Sequence, residues 1–362
     1  MCQPTRKPYQ CIIPPYISDK ISSSPAGDAD LDIDPNRSGE RRFRNKRKAL
    51  SRLSKARRSL MANVYNADDA EEMIIELYDA GQLPILPGEM VWQSGQSPKP
   101  KEKIGKEAIK GAENTWSFYK NLFNRNSIDN MGMVIQQSIH YRENPRKAFA
   151  NAFWDGSQMI YGDGDGLTFG SFTGDLDIIA HELTHGIIDY EANLTYKNQS
   201  GALNESFADV FGILVKQWTN KTSARRSNWL IGDKILKGKK YALRSMKAPG
   251  TAFKNHPELG DDPQPAVMSN YIKMTGDDGG VHYNSGIPNF AFYVAAYEMA
   301  GNAWEKAGAI WYAALTDKKA LKKSATFKDA RKATIAKAKT LYGAGSNEVK
   351  AVTKGWDAAE VK

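Results

Sequence analysis

The chain has 362 residues, of which 50 are Lys or Arg and 41 are Asp or Glu, giving a formal net charge of +9. At roughly 150 residues per domain, this length predicts two domains with room for a smaller appendage. Because 41% of the residues are hydrophobic and 25% are charged, wholesale disorder, collagen and coiled coil are excluded. The most apolar stretch, residues 287–304, is interrupted by polar residues, so no membrane-spanning helix is expected.

The first 60 residues account for most of the net positive charge. They contain 14 Lys and Arg against 6 Asp and Glu, whereas the remaining residues contain 36 basic and 35 acidic groups. Residues 22–35 read as a linker, and the basic run 41–58 that follows spaces Leu50 and Leu53 for one helical face. Such a run is either a solvated helix or a surface that binds nucleic acid or an acidic partner. The main body has no basic excess, so no nucleic-acid partner is expected for it.

Strands dominate the next part of the chain and helices the last part. Between residues 61 and 174 the pattern favours strands with one helix at 103–123, and residues 152–161 are typical of a hairpin around Asp155-Gly156. From Leu176 onward, the spacing predicts helices at 176–190, 201–218, 286–300, 303–316, 325–340 and 346–357. The last three are Ala- and Lys-rich and indicate a helical bundle. The sequence therefore predicts an α+β fold.

The motif that carries chemistry lies where the two halves meet. Residues 181–185 read His-Glu-Leu-Thr-His within a predicted helix, so His181 and His185 project from one face. Two neutral imidazoles at this spacing bind one metal ion together, and Glu182 is placed to act on a water beside that ion. Accidental juxtaposition is the weaker alternative, because the chain contains only 5 His residues.

A second predicted helix carries candidates for the third metal ligand. A catalytic zinc ion takes three protein ligands, and a metzincin-type third His is excluded because Glu191 stands at its position. Glu205 and Asp209 lie four residues apart on a helix whose other faces are apolar. Buried carboxylates need partners, which zinc and a liganding His would supply. An ordinary capped or solvated carboxylate pair is the alternative.

Four motifs in order give the sequence a specific resemblance to the thermolysin family of zinc endopeptidases. They are HELTH at 181–185, GALNESFADVFG at 201–212, NAFWDGSQMIYGDGDG at 151–166 and GGVHYNSG at 279–286. The resemblance covers about residues 65–362 and implies a thermolysin-like two-lobe fold, with the zinc-binding helix between a β-rich lobe and an α-helical lobe. The short N-terminal segment with Ile13-Pro-Pro-Tyr16 is similar to the propeptide of the protealysin-like branch, so a metallopeptidase precursor is expected.

The resemblance implies a role for each matching residue. His181, His185 and Glu205 would bind one Zn²⁺, Asp209 would hold the second nitrogen of His181, and Glu182 would be the general base. The other expected catalytic residues are Tyr196 and His282, which would stabilise the oxyanion, and Asp277, which would orient His282. The expected substrate-binding residues are Asn151 and Ala152 on an edge strand, Arg244 beside the carbonyl beyond the scissile bond, and Leu243, Phe169 and Ile178 around a pocket for a bulky apolar residue.

Alternatives exist for single residues. Without the surrounding motifs, Tyr196 and His282 would be interpreted as ordinary loop residues. His140 and His256 fit no motif and are expected to be structural or surface residues. The Asp163 and Asp165 pair is expected to form a tight turn rather than a metal loop.

The sequence departs from the family at its double calcium site. Asp177 fits the first carboxylate position, but the companion positions hold Lys216, Asn228 and Leu230, with Asp233 still acidic nearby. A lysine at a bridging position would repel Ca²⁺ and neutralise the acidic cluster, so no double calcium site is expected here. Weaker calcium sites elsewhere stay open.

The expected organisation is that of a zymogen. Residues 1–60 would form a basic propeptide, 61–190 the catalytic β-rich lobe and 191–362 the helical lobe. Self-cleavage is expected before Leu60, Met61 or Val64, and the propeptide should shield the cleft until then. Zinc ligation by Cys2 or Cys11 is an open alternative to a plain packed or exposed thiol.

The expected function is a zinc-dependent endopeptidase that cuts on the N-terminal side of bulky hydrophobic residues. It would act as a monomer on proteins or peptides, without nucleic-acid or membrane partners. A catalytically silent zinc-binding interaction protein is the alternative, but such a protein would be expected to lack Glu182, Tyr196 or His282. Secretion fits the family, whereas residues 1–16 have prolines and charges where a signal peptide is apolar, so another export route or the cytoplasm is expected.

Overall fold

The computed structural model describes residues 11–23, 31–32, 72–238 and 241–362. The basic run at 41–58, the expected cleavage points at 60–64 and Cys2 lie outside these ranges. The N-terminal segment contains helix α1 (Pro15–Ser23) and the short strand β1 (Leu31–Asp32). Part of the linker expected at 22–35 is therefore regular structure, because Ile17 and Ile21 of α1 are buried against the rest of the protein.

A five-stranded mixed sheet forms the first lobe. In spatial order its strands are β3 (Glu89–Gln93), β2 (Ile75–Asp79), β4 (Ile135–Ile139), β7 (Met159–Tyr161) and β6 (Ala152–Trp154). Strands β2, β4 and β7 run parallel, whereas β3 and β6 pair antiparallel with their neighbours. Strand β6 is an edge, and this leaves one side of it available to an added strand.

The hairpin predicted around Asp155-Gly156 is confirmed. It joins β6 and β7, which pair from Ala152–Tyr161 to Trp154–Met159. The Asp155 carboxylate accepts the backbone N–H groups of Ser157 and Gln158, and the positive φ of Gly156 closes the turn. Strand β5 (Ala148–Phe149) lies outside this sheet and pairs parallel with β1.

Three helices build the centre of the molecule. Helix α2 (Lys103–Phe123) packs on the sheet, while α3 (Leu176–Tyr190) and α4 (Asn198–Thr219) are buried along most of their length. Helices α2 and α3 span the predicted residues, and α4 begins three residues earlier than predicted. A Cβ on Gly212 would lie only 2.7 Å from the Asp177 carbonyl oxygen, so this glycine allows α3 and α4 to approach closely.

The second lobe is helical, as the sequence predicts. It contains α5 (Asp277–Asn284), α6 (Gly286–Met299), α7 (Ala307–Thr316), α8 (Phe327–Tyr342) and α9 (Asn347–Ala358), preceded by the two-stranded ribbon β8 (Leu230–Ile231) and β9 (Arg244–Ser245). Helix α7 begins four residues later than predicted. Trp311 stacks on Trp356 in the core of this lobe, with ring centroids 6.3 Å apart. Within the described ranges, no helix is long and apolar enough to cross a membrane.

Candidate metal centre and active site

Three side chains from α3 and α4 converge on one point. The Nε2 atoms of His181 and His185 lie 3.0 Å apart, and the Glu205 carboxylate oxygens lie 3.4 Å and 3.5 Å from them. All three side chains are buried, and Glu205 Oε2 has no hydrogen-bond partner among the described residues. Zinc–nitrogen distances near 2.0–2.1 Å in a tetrahedral site place ligand atoms roughly 3.3 Å apart, so this donor set fits zinc.

The second nitrogen of each histidine faces a fixed polar group. His181 Nδ1 lies 2.8 Å from Asp209 Oδ1, and His185 Nδ1 lies 2.8 Å from Asn204 Oδ1. An acceptor at Nδ1 favours the tautomer that leaves Nε2 free for a metal. Asn204 was not foreseen from the sequence, although it directly precedes the predicted ligand Glu205.

The two histidines differ in their electrostatics. Burial lowers the pKa of His185 to about 3, so its ring is neutral and ready to bind a metal. Burial acts the same way on His181, but the carboxylates of Asp209 and Glu205 outweigh it and raise the pKa of His181 to about 9. Without a metal the charge of the His181 ring therefore stays balanced by these two acidic neighbours.

Glu182 has the properties of a general base. It lies beside His181 on α3 and is fully buried, and its Oε2 accepts a hydrogen bond of 3.0 Å from the backbone N–H of Trp154 on β6. Its Oε1 has no hydrogen-bond partner among the described residues. Burial raises the pKa of Glu182 to about 8, close to neutrality, where a carboxylate exchanges protons most effectively.

Tyr196 and His282 form a pair of donors beside Glu205. Tyr196 Oη lies 3.2 Å from His282 Nε2, and the Tyr196 hydroxyl also donates to the Glu205 carboxylate. Asp277 contacts His282 twice, through Nδ1 at 2.6 Å and through the backbone N–H at 2.8 Å. Burial lowers the pKa of His282, but Asp277 and Glu205 outweigh it and raise the pKa to about 9. The predicted catalytic set is thus brought together.

Glycines at 279 and 280 allow this geometry. Their φ angles are 90° and 78°, in the left-handed region that other residues rarely adopt. The backbone turns there between Asp277 and His282, so that the carboxylate folds back onto both nitrogen donors.

Arg244 is held by Asp209 behind the metal ligands. Its Nε and Nη2 donate to the two Asp209 carboxylate oxygens at 2.8 Å and 2.7 Å. Burial favours the neutral form of Asp209, but Arg244 and His181 outweigh it and hold the pKa of this carboxyl at about 2. Arg244 is therefore paired with a full negative charge, and its Nη1 remains to donate elsewhere.

Residues 11–13 lie in the predicted substrate-binding cleft. Cys11 pairs antiparallel with Phe153 on the edge strand β6. Ile12 N donates to the Ala152 carbonyl at 3.2 Å, and Ile13 N donates to Asn151 Oδ1 at 3.3 Å. This segment thus adds a strand to the exposed edge of the sheet.

Two further contacts fix the register of this segment. His282 Nε2 donates to the Cys11 carbonyl at 3.1 Å, and Arg244 Nη1 donates to the Ile12 carbonyl at 3.0 Å. The Cys11 thiol points elsewhere, because Sγ donates to the Ile13 carbonyl and the side chain packs in a small apolar cluster with Phe149 and Phe153. The structure therefore contradicts zinc ligation by Cys11.

The predicted pocket residues are all buried, and two of them lie close to one glycine. Ile178 and Leu243 both approach Gly232, where a Cβ would lie 2.8 Å from the Leu243 side chain. Phe169 is fully buried with its ring centroid 6.0 Å from that of Phe172, a neighbour that sequence reasoning missed. These side chains belong to the same buried apolar cluster as Ile12.

An ammonium group lies within the acidic cluster near the start of α3. Lys216 Nζ is 2.9 Å from Asp175, 2.7 Å from Asp177 and 2.7 Å from Asp233. These three carboxylates are close enough to one another to hold a metal ion. Burial raises the pKa of Asp175 to about 8, and Lys216 only partly offsets this. Asp175 was not foreseen as a member of the cluster.

The remaining polar candidates make structural contacts, although the Asp163 side chain contacts His140 and not the expected turn. Asp165 Oδ1 accepts three backbone N–H groups, from residues 167, 168 and 169, and so forms a tight turn. His140 lies between two carboxylates, Asp163 on Nδ1 and Glu102 on Nε2. His256 Nδ1 accepts two backbone N–H groups of the following turn.

Comparisons with known proteins agree with this geometry. Residues 44–189 match the family model described as thermolysin metallopeptidase, catalytic domain, and residues 192–361 match that of the thermolysin metallopeptidase, alpha-helical domain. Protease PrtS from Photorhabdus sp. (strain Az29) is 43% identical over 83% of this chain and 80% of that protein. An extracellular metalloprotease from Pectobacterium carotovorum subsp. carotovorum is 47% identical over 67% of this chain and 69% of that protein. The solved precursor of protealysin, a metalloproteinase from Serratia proteamaculans, is 39% identical and has a TM-score of 0.82, with 98% of this chain and 100% of that chain covered.

Proposed function

The chain belongs to the thermolysin family of metallopeptidases, and we propose that it is made as a self-inhibited, self-processing precursor that cuts before bulky hydrophobic residues. It is a metalloendopeptidase of the protealysin-like type, and its family is zinc-dependent. The proposal concerns which residues act, what is cut and how the precursor is restrained. The observation that carries it is the set of backbone contacts that residues 11–13 make with the predicted substrate-binding groups.

His181, His185 and Glu205 would hold the zinc ion. When bound, zinc supplies a positive charge that lowers the pKa of a water molecule and polarises the scissile carbonyl. Glu182, whose pKa is raised by burial, takes a proton from water and passes it to the leaving amine. The alternative of a silent zinc-binding protein is disfavoured, because the base and its neighbours all lie within one buried site.

Tyr196 and His282 stabilise the negative charge that develops on the carbonyl oxygen. Tyr196 Oη and His282 Nε2 lie 3.2 Å apart, and His282 already donates to a carbonyl oxygen in this structure. Asp277 keeps the His282 ring oriented and favours its charged form. Because these donors are fixed before the reaction, they need no reorganisation when the charge appears.

The N-terminal segment restrains the enzyme by binding as a substrate would. Its Cys11 carbonyl contacts the oxyanion donor His282, and the next carbonyl, that of Ile12, contacts Arg244. In this register the bond between Cys11 and Ile12 takes the place of the scissile bond, with Ile12 on the leaving-group side. A free peptide cannot enter while the segment is bound, so residues 1–60 are proposed to be a propeptide and intramolecular inhibitor.

The same register supports the proposed specificity. Ile12 is fully buried in the main hydrophobic core, to which the expected pocket residues Phe169, Ile178 and Leu243 also belong. A pocket lined by such residues gains free energy from burying a large apolar side chain, by about 1.5–3 kcal/mol for a Leu or Phe. We therefore propose cleavage on the N-terminal side of bulky hydrophobic residues.

The maturation cleavage site, the division of the chain into lobes and the location of the protein are also proposals. Residues 61–190 and 191–362 would form the two lobes after cleavage near residues 60–64. One relative is named an extracellular metalloprotease, and this supports secretion of the present chain, with the cytoplasm as the alternative. The protein is proposed to act as a monomer on proteins or peptides, without nucleic-acid or membrane partners.

Lys216 is proposed to replace calcium near the start of α3. Its ammonium contacts all three carboxylates of the cluster, so a divalent cation would meet a like charge at close range. No double calcium site is therefore proposed for this region, and calcium sites elsewhere stay open. Two tightly bound calcium ions that are lost in an Asp177→Asn variant would contradict this.

The proposed specificity is tested by mapping cleavage sites. Purified enzyme freed of its N-terminal segment is incubated with denatured protein, and the new N-termini are identified by mass spectrometry. Most new N-termini should be Leu, Ile, Phe or Val, and a zinc chelator should abolish them. New N-termini without a preference for bulky apolar residues would overturn the specificity, and no cleavage at all would favour the silent binder.

A further inference from the structure

Asn289 is a buried polar residue within the apolar helix α6. Its side chain is fully buried, and its Nδ2 donates to Asp209 Oδ2 at 2.8 Å. Its Oδ1 has no hydrogen-bond partner among the described residues. Burying an amide costs free energy unless its hydrogen bonds are made, so the contact with Asp209 needs an explanation beyond packing.

The Asp209 carboxylate receives donors from three directions. Its Oδ1 faces His181 Nδ1 at 2.8 Å and Arg244 Nη2 at 2.7 Å. Its Oδ2 accepts from Arg244 Nε at 2.8 Å and from Asn289 Nδ2 at 2.8 Å. Each oxygen therefore has two partners, and these partners belong to α3, β9 and α6.

Among the described residues, the donors to Asp209 Oδ2 are Arg244 Nε and the Asn289 amide. Arg244 donates to both carboxylate oxygens, but these two hydrogen bonds by themselves still allow the carboxylate plane to tilt. A further donor on Oδ2 opposes this tilt, which would otherwise change the direction in which Oδ1 faces His181. The orientation of a metal-binding imidazole depends on such a partner.

We propose that Asn289 is a positioning residue of the zinc site: it fixes the Asp209 carboxylate, which in turn fixes the ring of His181. This inference rests on the zinc-binding role proposed above for His181. It places a determinant of zinc affinity on α6, the helix that directly follows His282 and otherwise serves the core of the helical lobe. Loss of an orienting partner typically weakens metal binding 10–100-fold, and an indirect partner belongs at the lower end of this range.

The test uses the full-length chain and two matched variants. Asn289→Leu removes the donor and keeps the number and branching of the side-chain heavy atoms. Phe292→Leu perturbs the same helix where it packs on Trp229 and Trp311. The zinc dissociation constant is measured by competition with a chelator, and the thermal midpoint is measured beside it. Asn289→Leu should raise the zinc dissociation constant about tenfold, whereas Phe292→Leu should change it less than twofold. The two variants are compared at similar thermal midpoints.

Kinetics and a double-mutant cycle separate positioning from a general structural effect. The kinetics are measured at saturating zinc, so that no zinc-free enzyme contributes. Under this condition, Asn289→Leu should lower kcat severalfold and leave KM within about twofold, because Arg244 keeps its contacts. In an Asp209→Asn background, Asn289→Leu should add less than a twofold loss of zinc affinity. If Asn289→Leu yields no folded protein, Asn289→Ala is judged by the same criteria.

Two results would overturn the inference. One is a zinc dissociation constant of Asn289→Leu within twofold of the wild type, and the other is a full additional loss in the Asp209→Asn background. In either case a wild type that binds zinc and cleaves peptides leaves the proposed function standing. A wild type that binds no zinc would contradict the proposed function itself.

Discussion

The guanidinium group of Arg244 donates to the main-chain carbonyl of Ile12 over 3.0 Å. The side chain expected to grip a substrate carbonyl is therefore occupied by the protein's own N-terminal segment. The neighbouring Ile12 N–H donates to the Ala152 carbonyl on the edge strand, so the segment is held on both sides of one residue. The proposed inhibition would therefore depend on a short stretch of backbone and on the buried side chain of Ile12.

A charge at position 12 should release the segment. Ile12 is fully buried, so Ile12→Asp would place a carboxylate in an apolar pocket, which costs several kcal/mol unless the segment leaves. The precursor should then cleave a small peptide at an initial rate at least tenfold above that of the wild-type precursor. Ser18→Ala on α1 is the control and should change this rate less than twofold. An Ile12→Asp precursor as inactive as the wild type would argue against the inhibitory role.

Removing the Tyr196 hydroxyl should slow the reaction without abolishing substrate binding. Tyr196→Phe deletes one of the two donors beside the carbonyl oxygen, and losing such a donor typically costs about 10²–10³-fold in kcat. We expect kcat to fall about 100-fold on a defined peptide, with KM changed less than threefold. Tyr297→Phe, on the outer face of α6, serves as control. Unchanged kcat in Tyr196→Phe would remove Tyr196 from the catalytic set.

Loss of the Lys216 ammonium should destabilise the protein strongly. Lys216→Met leaves Asp175, Asp177 and Asp233 without their counter-charge, and breaking a buried ion pair typically costs about 3–5 kcal/mol of unfolding free energy. The thermal midpoint should fall in metal-free buffer and recover in part on adding Ca²⁺, to which the wild type should be insensitive. The exposed Lys319→Met variant is the control. A wild type stabilised by Ca²⁺ through this cluster would contradict the account.

His140 should stabilise the fold below neutral pH and lose this effect in alkali. The Asp163 carboxylate, together with Glu102, raises the pKa of His140 from 6.5 to about 9. Because the pKa is higher in the folded state, the stabilisation is complete below pH 6.5 and is lost as the pH rises through 9.

We therefore expect His140→Gln to lower the thermal midpoint at pH 6 by about 2–4 °C and to leave it nearly unchanged at pH 10. His256→Gln is the control, since its Nδ1 accepts backbone N–H groups and faces no carboxylate pair. An equal loss at both pH values for His140→Gln would show that its charge is not involved.

The residues of the candidate metal centre could be proposed from the sequence because their spacing is local. The spacing of His181 and His185 and that of Glu205 and Asp209 each lie within one helix, where a four-residue separation fixes a shared face. The fold class and the helical second lobe followed from long stretches of regular apolar spacing.

Other features depend on contacts between distant residues and were missed. Asn289 interrupts an apolar helix, but only the packing of α6 against α4 shows that it meets Asp209. The first residues of the expected linker are helical because they end a helix whose Ile17 and Ile21 side chains are buried against the rest of the protein. The ion pair of Asp175 with Lys216 likewise joins the residue before α3 to α4, so no local sequence pattern indicates it.

The central claim is tested most directly by the intact mass of the purified full-length chain over time. Three samples are followed: the wild type, the wild type with a zinc chelator, and Glu182→Ala. The account predicts loss of about the first 60 residues in the untreated wild type alone, because cleavage requires both zinc and the general base. It would be contradicted by a chain that stays whole in all three samples and still cleaves no peptide after another protease has removed the segment.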